Sequence, residues 1–232
     1  MTNPVITALD VSDREAMRAL IKKLAPYGGI FKLGLEMFVG FGPEVVKEVI
    51  GGGGKVMLDL KLHDIPNTVK KAAKNAGILG AELLTVHASG GSAMLKAAVE
   101  GVKEAGSKTK VLAVTVLTSI DEETLQNELG VTKSVLEQVK SLAMLAKESG
   151  VDGVVCSPKE ITAIRECCGQ NFLIVTPGIR PKGSAVGDQK RIKTPAEAIN
   201  DGANYIVVGR PITEASDPAV AMENILKEIE NR

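Results

Sequence analysis

The segment Val56-Met57-Leu58-Asp59-Leu60-Lys61-Leu62-His63-Asp64 decides how this chain folds. Successive residues of a strand point to opposite faces, so Leu58, Leu60 and Leu62 share one face while Asp59, Lys61 and His63 share the other. Two arrangements fit that pattern. In one, the segment is a half-exposed edge strand with its charges in water. In the other, the leucines pack beneath helices, and Asp59 and Lys61 point into the interior of a closed sheet near its carboxyl end. An unpaired charge in that interior is strongly disfavoured, so the second arrangement requires the pair to neutralise itself or to meet a charged ligand.

The surrounding sequence favours the closed sheet. Short aliphatic or β-branched runs recur at residues 5–8, 31–33, 56–61, 83–87, 111–114, 153–156, 173–176 and 205–208. Amphipathic stretches with helix-start signals separate them. Ser12 with Glu15, and Thr194 with Pro195 and Glu197, read as capping boxes; Ser157 before Pro158 and Asp217 before Pro218 read as a cap followed by proline in the first turn. Gly80, Gly106, Gly150, Gly169 and Gly202 fall where helices should stop. Eight β/α units in 232 residues leave a (β/α)8 barrel or an open doubly wound sheet. The count, and the lack of a GxGxxG after the first strand, favour a TIM barrel spanning 1–232 as a single domain. The glycines at 51–54 follow a helix and precede a strand, the reverse of a phosphate cradle, and read as an αβ connection. The longest excursion is expected at 119–130.

Composition excludes several functions. The apolar fraction, 44%, is too high for a disordered chain, and 28 basic residues balance 28 acidic ones, leaving no electrostatic footprint for nucleic acid or an anionic membrane. No apolar run is long enough to span a bilayer, and the start MTNPVITALD lacks the character of a signal peptide. Cys156, Cys167 and Cys168 lack metal-ligand or CxxC spacing, so a reduced, cytoplasmic setting is expected, with the vicinal pair as packing.

Barrel chemistry sits at the carboxyl ends of the strands. There, Asp10 follows the first run and Lys32 lies in Phe31-Lys32-Leu33-Gly34, at about the level of Asp59 and Lys61. Two lysines and two aspartates converging in a cavity form a polar network able to hold a proton donor ready. Thr176-Pro177-Gly178-Ile179-Arg180 and the loop after it follow the seventh strand, and Gly209-Arg210-Pro211 follows the eighth. Exposed backbone amides and arginines at that place suit a phosphate dianion, although glycine and proline also populate ordinary turns. His63 and His87 lie near strand ends and read as structural rather than as acids or metal ligands.

These residues resemble the orotidine 5′-phosphate decarboxylase family over essentially the whole chain. Asp59-Leu60-Lys61-Leu62-His63-Asp64-Ile65-Pro66-Asn67-Thr68 fits the family's D-x-K-x-x-D-I-x-x-T pattern. ALDV around Asp10, FKLG around Lys32, TPGIR at 176–180 and VVGRPI at 207–212 fit in the right order. The resemblance implies a homodimeric enzyme without cofactor or metal that makes UMP from orotidine 5′-monophosphate. It implies that Lys61 protonates C6 as carbon dioxide leaves, that Asp59 lies against the substrate carboxylate, and that Lys32, Asp59, Lys61 and Asp64 form a charged array completed across a subunit boundary. Asp10 and Lys32 would contact the ribose, with Asp64 and Thr68 from the partner. Thr118, Ile65 and Pro177 would meet the ring. Gln189, Gly209 and Arg210 would hold the phosphate, and Arg180 would anchor a loop over it. Related sugar-phosphate barrels that use a divalent metal and an enediolate share part of the pattern, and a silent nucleotide-binding protein is a further alternative. The buried charges argue against the latter.

Overall fold

In the computed structural model, which describes residues 3–182 and 192–231, the strands close on themselves in sequence order. They are β1 (Val5–Ala8), β2 (Ile30–Leu33), β3 (Lys55–Leu62), β4 (Leu83–His87), β5 (Lys110–Val114), β6 (Gly153–Val155), β7 (Leu173–Thr176) and β8 (Tyr205–Val208). All pairs are parallel, and β1 returns to β8 with Val5 opposite Ile206 and Thr7 opposite Val208. The helices are α1 (Arg14–Leu24), α2 (Leu35–Phe41), α3 (Glu44–Gly51), α4 (Pro66–Ile78), α5 (Gly91–Glu104), α6 (Val135–Glu148), α7 (Ile161–Cys168), α8 (Pro195–Asn200), α9 (Arg210–Thr213) and α10 (Pro218–Glu230). The fold is the expected TIM barrel.

Strand alternation divides the apolar residues between two layers. Ile6, Ala8, Ile30, Met57, Leu83, Leu112, Val175 and Val207 fill the barrel interior. Val5, Phe31, Leu33, Val56, Leu58, Leu84 and Val86 face outward into the core shared with the helices. Leu60 and Leu62 join that outer core, as the alternation requires. Buried on both faces, the strands are nearly continuous apolar runs. The inner filling stops short of the carboxyl ends, where polar residues replace it.

Helix ends follow local chemistry, with two departures from expectation. Thr194 and Glu197 form the expected capping box, and Asp217 accepts from the Ala219 N–H. A second box, Ser134 with Glu137, starts α6 and was not anticipated. At α1, however, Asp13 is the cap: its carboxylate accepts from the N–H groups of Glu15 and Ala16, while Ser12 donates to Glu36. A carboxylate one residue further on both reaches those amides and complements the helix dipole. Ser157 caps only a turn, accepting from Lys159 N–H, and α7 begins later, after Glu160. The glycines expected to stop helices all take left-handed φ. Gly51 ends α3, and the chain passes through Gly53 at φ +86° into β3, so this run is an αβ connection. The long excursion between β5 and α6 includes a π-helical turn at Thr124–Glu128.

At the amino-terminal face, Arg165 is a buried staple. It donates to the carbonyls of Gly169, Phe172 and Gly202 and to Asn204 Oδ1, which also accepts from the Ile174 N–H. The α4–α5 pair packs almost backbone to backbone, with Ala73 and Gly77 on α4 and Ala97, Ala98 and Gly101 on α5 buried between them. A Cβ at Gly101 would collide with the backbone of Lys70 and Lys74. Gly101→Ala should therefore destabilise by about 1–3 kcal/mol through overpacking, despite alanine's better helix propensity. At about 2–4 °C per kcal/mol for this size, calorimetry should show a clear drop in melting temperature; an unchanged or raised value would refute the close approach.

Candidate active site

The charged pair on β3 sits on an irregular stretch of strand. Its register against β4 runs Met57–Leu83, Leu58–Leu84, then Leu62–Val86, so between the last two pairs β3 advances four residues while β4 advances two. Within this bulge Lys61 takes φ +49°, the sole left-handed non-glycine among the described residues. That conformation is disfavoured by roughly 1–2 kcal/mol for a residue with a Cβ, and such departures concentrate at functional sites. The Lys61 N–H turns to the Thr85 hydroxyl at 2.9 Å, and that hydroxyl in turn donates to Asp59 Oδ1 at 2.9 Å.

Four charges then follow one another across the mouth. Lys61 Nζ lies 2.8 Å from Asp59 Oδ2, Lys32 Nζ lies 3.8 Å from the same oxygen, and Lys32 Nζ lies 2.9 Å from Asp10 Oδ1. Asp59 is only 7% exposed, whereas Asp10 is open to solvent. The order Asp10–Lys32–Asp59–Lys61 alternates in sign, so each inner charge has an opposite neighbour. The expected convergence of β1, β2 and β3 is therefore present within one chain. Gly34 borders it closely, because a Cβ there would stand 3.1 Å from Lys32 Nζ.

Two cavities open beside this array and share Lys32, Pro177 and Val207. The inner one, about 200 Å³, has Asp59, Lys61 and Met57 on one side and Val114, Val116, Leu117, Thr118, Val155 and Cys156 on the other. The outer one, about 370 Å³, runs past Asp10 to Gly178, Arg180, Gly209 and Arg210. Burial, then the neighbouring positive charge of Arg210, lowers the proton affinity of the Arg180 guanidinium. A bridge between Ile179 and Lys193, with the Arg180 N–H donating to the Lys193 carbonyl at 3.0 Å, ties together the chain on either side of residues 183–191. Gln189 lies outside the described residues.

Other expected residues stand apart from the cavities of their own chain. Asp64 is exposed, and its Oδ1 accepts from the Ile65 N–H at 2.6 Å in the turn that starts α4. Thr68 is also exposed, on the first turn of α4. Ile65, expected to line the ring pocket, is 67% exposed beyond the end of β3 and lines neither of these two cavities. His63 and His87 contact each other with ring centroids 5.4 Å apart. The vicinal thiols lie 3.7 Å apart, and burial pushes that of Cys168 up to about 12, away from reactivity. Sequence reading missed Thr85, Val114, Val116, Val155 and Val207 as site residues. The alternation that singled out Asp59 could have found Thr85, two residues after the inward Leu83.

Fold and site together define a (β/α)8-barrel enzyme with a charged site at its carboxyl mouth. Residues 3–225 match the model of the orotidine 5′-phosphate decarboxylase / HUMPS family, and the chain belongs to that family, as a carboxy-lyase. It is 53% identical to orotidine 5′-phosphate decarboxylase of Moorella thermoacetica, over 97% of this chain and 92% of that one. The crystal structure of the Lactobacillus acidophilus orotidine 5′-phosphate decarboxylase superposes with a TM-score of 0.88 at 47% identity, covering 98% of this chain and 99% of the other. That of the Pyrococcus horikoshii OT3 decarboxylase gives 0.77 at 26% identity, covering 97% and 99%. Among the described residues, no helix is long and apolar enough to cross a membrane.

His87 gives the site a pH signature. Burial foremost, then the charges of His63 and Lys61, hold its proton affinity below that of a free histidine. The unfolded chain therefore binds this proton more readily than the folded one. The associated stability is complete above the ordinary histidine range, near pH 6.5, and declines as pH falls below it. His87→Gln should flatten that segment of the stability–pH curve in denaturant titrations; an equally steep decline in the variant would assign the effect elsewhere.

Proposed function

We propose that this chain decarboxylates orotidine 5′-monophosphate to UMP in de novo pyrimidine synthesis, using its own side chains and no cofactor, on one barrel domain. The observation that carries this reading is the Lys61 ammonium held 2.8 Å from a nearly buried Asp59 at the edge of the inner cavity. The pyrimidine would occupy that cavity against Thr118 and Pro177. The ribose would lie over Asp10 and Lys32, and the phosphate would enter the outer cavity toward Gly209 and Arg210, with Gln189 as a further contact. An anion there would relieve the mutual repulsion of Arg180 and Arg210, and Arg180 would anchor the loop that follows it.

In the reaction the C6–carboxylate bond breaks, carbon dioxide departs, and the bonding electron pair remains on C6. Lys61 transfers its Nζ proton to that carbon and regains one from solvent. The developing carbanion is an sp² centre that the ring does not delocalise as an enolate, so stabilisation has to come from a preplaced positive charge. Lys61 supplies it. Asp59, fixed against Lys61, would face the substrate carboxylate and favour its loss. Binding energy from the remote phosphate would be used to assemble a closed, dry site around the reacting carbon.

Loss of orotate-ring absorbance on adding the protein to orotidine 5′-monophosphate tests the reading, and turnover should persist in a strong chelator. Activity lost to the chelator and restored by magnesium would favour the metal-using, enediolate-forming branch of related barrels. Lys61→Ala should abolish turnover yet leave UMP affinity in calorimetry largely intact, because the phosphate contacts lie beyond Lys32 in the outer cavity. UMP binding lost along with turnover would make Lys61 structural.

The array is completed in this reading by a homodimer, with Asp64 and Thr68 of the partner subunit reaching the ribose and Lys61. Asp64, Ile65 and Thr68 are exposed beyond the end of β3, and Leu35 and Val39 are exposed on the helix that follows β2. Exposed apolar residues beside a charged mouth suit a two-fold interface. Lys61→Ala and Asp64→Ala homodimers should each be severely impaired. Co-refolding the two makes heterodimers in which one site carries both lesions and the other neither. With random pairing, roughly a quarter of all sites should regain wild-type activity. Verified heterodimers without recovery would place Asp64 in its own chain's site.

A further inference from the structure

Thr85 is fully buried and lines neither of the two cavities beside the charged array. It lies on β4 two residues beyond Leu83, which fills the barrel interior, so its side chain occupies the next inward layer. Its hydroxyl is the one point at which the two anomalies of the site meet. It accepts from the Lys61 N–H, the amide displaced from regular pairing by the bulge, and it donates to Asp59 Oδ1. The other oxygen of Asp59 receives Lys61 Nζ. Thr85, Asp59 and Lys61 therefore form a closed ring of contacts in which the ammonium, the carboxylate and the strained backbone are fixed relative to one another.

We infer that Thr85 is a positioning residue for the decarboxylation, its hydroxyl setting the rotation of the Asp59 carboxylate and the left-handed backbone from which Lys61 reaches the reacting carbon. The chemistry of the hydroxyl makes this specific. One group has to accept and donate at once, because a backbone N–H can only give and a carboxylate only receive. A methyl in its place would leave the Lys61 N–H and one lone-pair face of a nearly buried carboxylate without this partner. The backbone contact that supports Lys61 in a conformation that a side-chain-bearing residue seldom adopts would then be gone. The ammonium would relax toward an ordinary strand geometry, and its distance to the substrate would no longer be fixed. Because the phosphate-side residues Gly209 and Arg210 lie in the other cavity, ligand affinity should be spared while the chemical step is slowed.

The inference rests on the reading of Lys61 and Asp59 as the reacting pair, so wild type and Lys61→Ala are measured alongside. Thr85→Val, nearly isosteric, should lower kcat about 10- to 100-fold, as expected of a misplaced reacting group, with KM and UMP affinity changed by no more than a few-fold. Thr85→Ser, which keeps the hydroxyl and loses a methyl, should recover most of kcat even where its melting temperature is lower than that of the wild type. Thr85→Cys, with a weak donor and acceptor of similar size, should fall between the two and serves if the valine variant is not folded. A merely structural threonine would reverse this order, with kcat following melting temperature and the serine variant gaining nothing. Wild-type kcat in a folded valine or cysteine variant would overturn the positioning role alone. A wild-type protein without turnover on orotidine 5′-monophosphate would instead overturn the reading beneath it.

Discussion

A nearly buried carboxylate has to be answered from within the protein, and at the mouth of this barrel Asp59 is the group that everything else answers. Lys61 and Lys32 approach one oxygen, the Thr85 hydroxyl the other, and Asp10 balances Lys32 in turn. An isolated charge at that depth would be disfavoured by several kcal/mol. The bulge in β3 follows from the same demand. A regular strand would align Lys61 with the β4 ladder; the extra residues and the left-handed turn instead bring its amide to Thr85 and its ammonium back onto Asp59. Strain in the backbone is thus balanced by electrostatics in the side chains.

The opposite face of the barrel has another character. Arg165 there satisfies backbone carbonyls at the ends of α7 and around β7 and β8, and its charge is spent on structure. Between the two faces the interior is filled by aliphatic side chains from the strands, with Met57 and Leu83 directly below Asp59 and Thr85 in the alternation. This division of labour is characteristic of barrels, whose amino-terminal side and packed layers supply stability while the carboxyl-terminal side is free to carry unfavourable groups.

Much of this was legible in the sequence, for identifiable reasons. Eight aliphatic runs alternating with helix signals favoured a closed barrel over an open doubly wound sheet, and the period-two pattern of residues 56–63 assigned Leu58, Leu60 and Leu62 to one face and Asp59 and Lys61 to the other. The Asp10, Lys32, Asp59 and Lys61 array follows from where strands end. What remained hidden depends on register. The bulge leaves no local mark, since Lys61 carries none of the glycine that left-handed backbone ordinarily selects. Alternation along β4 could place Thr85 on the inward face, but its partners Asp59 and Lys61 appear only once β4 is laid beside β3. The choice of Asp13 over Ser12 as a cap was a matter of one residue, and such choices turn on side-chain reach rather than on pattern. Asp64, Ile65 and Thr68 are exposed in the single chain, and the part proposed for them depends on a second subunit rather than on any intrachain contact.

The tight seating of α4 on α5 has a bearing on those same residues. Glycine and alanine bring the two backbones together, and there is little side-chain material between them to compress or rearrange. A helix resting on long side chains can slide as rotamers change; one resting on main chain has less room to shift against its neighbour. The segment from Asp64 to Thr68 runs directly into that helix and inherits its fixity. What this chain presents beyond β3 is therefore less a flexible arm than a machined edge, whose placement is determined some distance away by the absence of a few methyl groups.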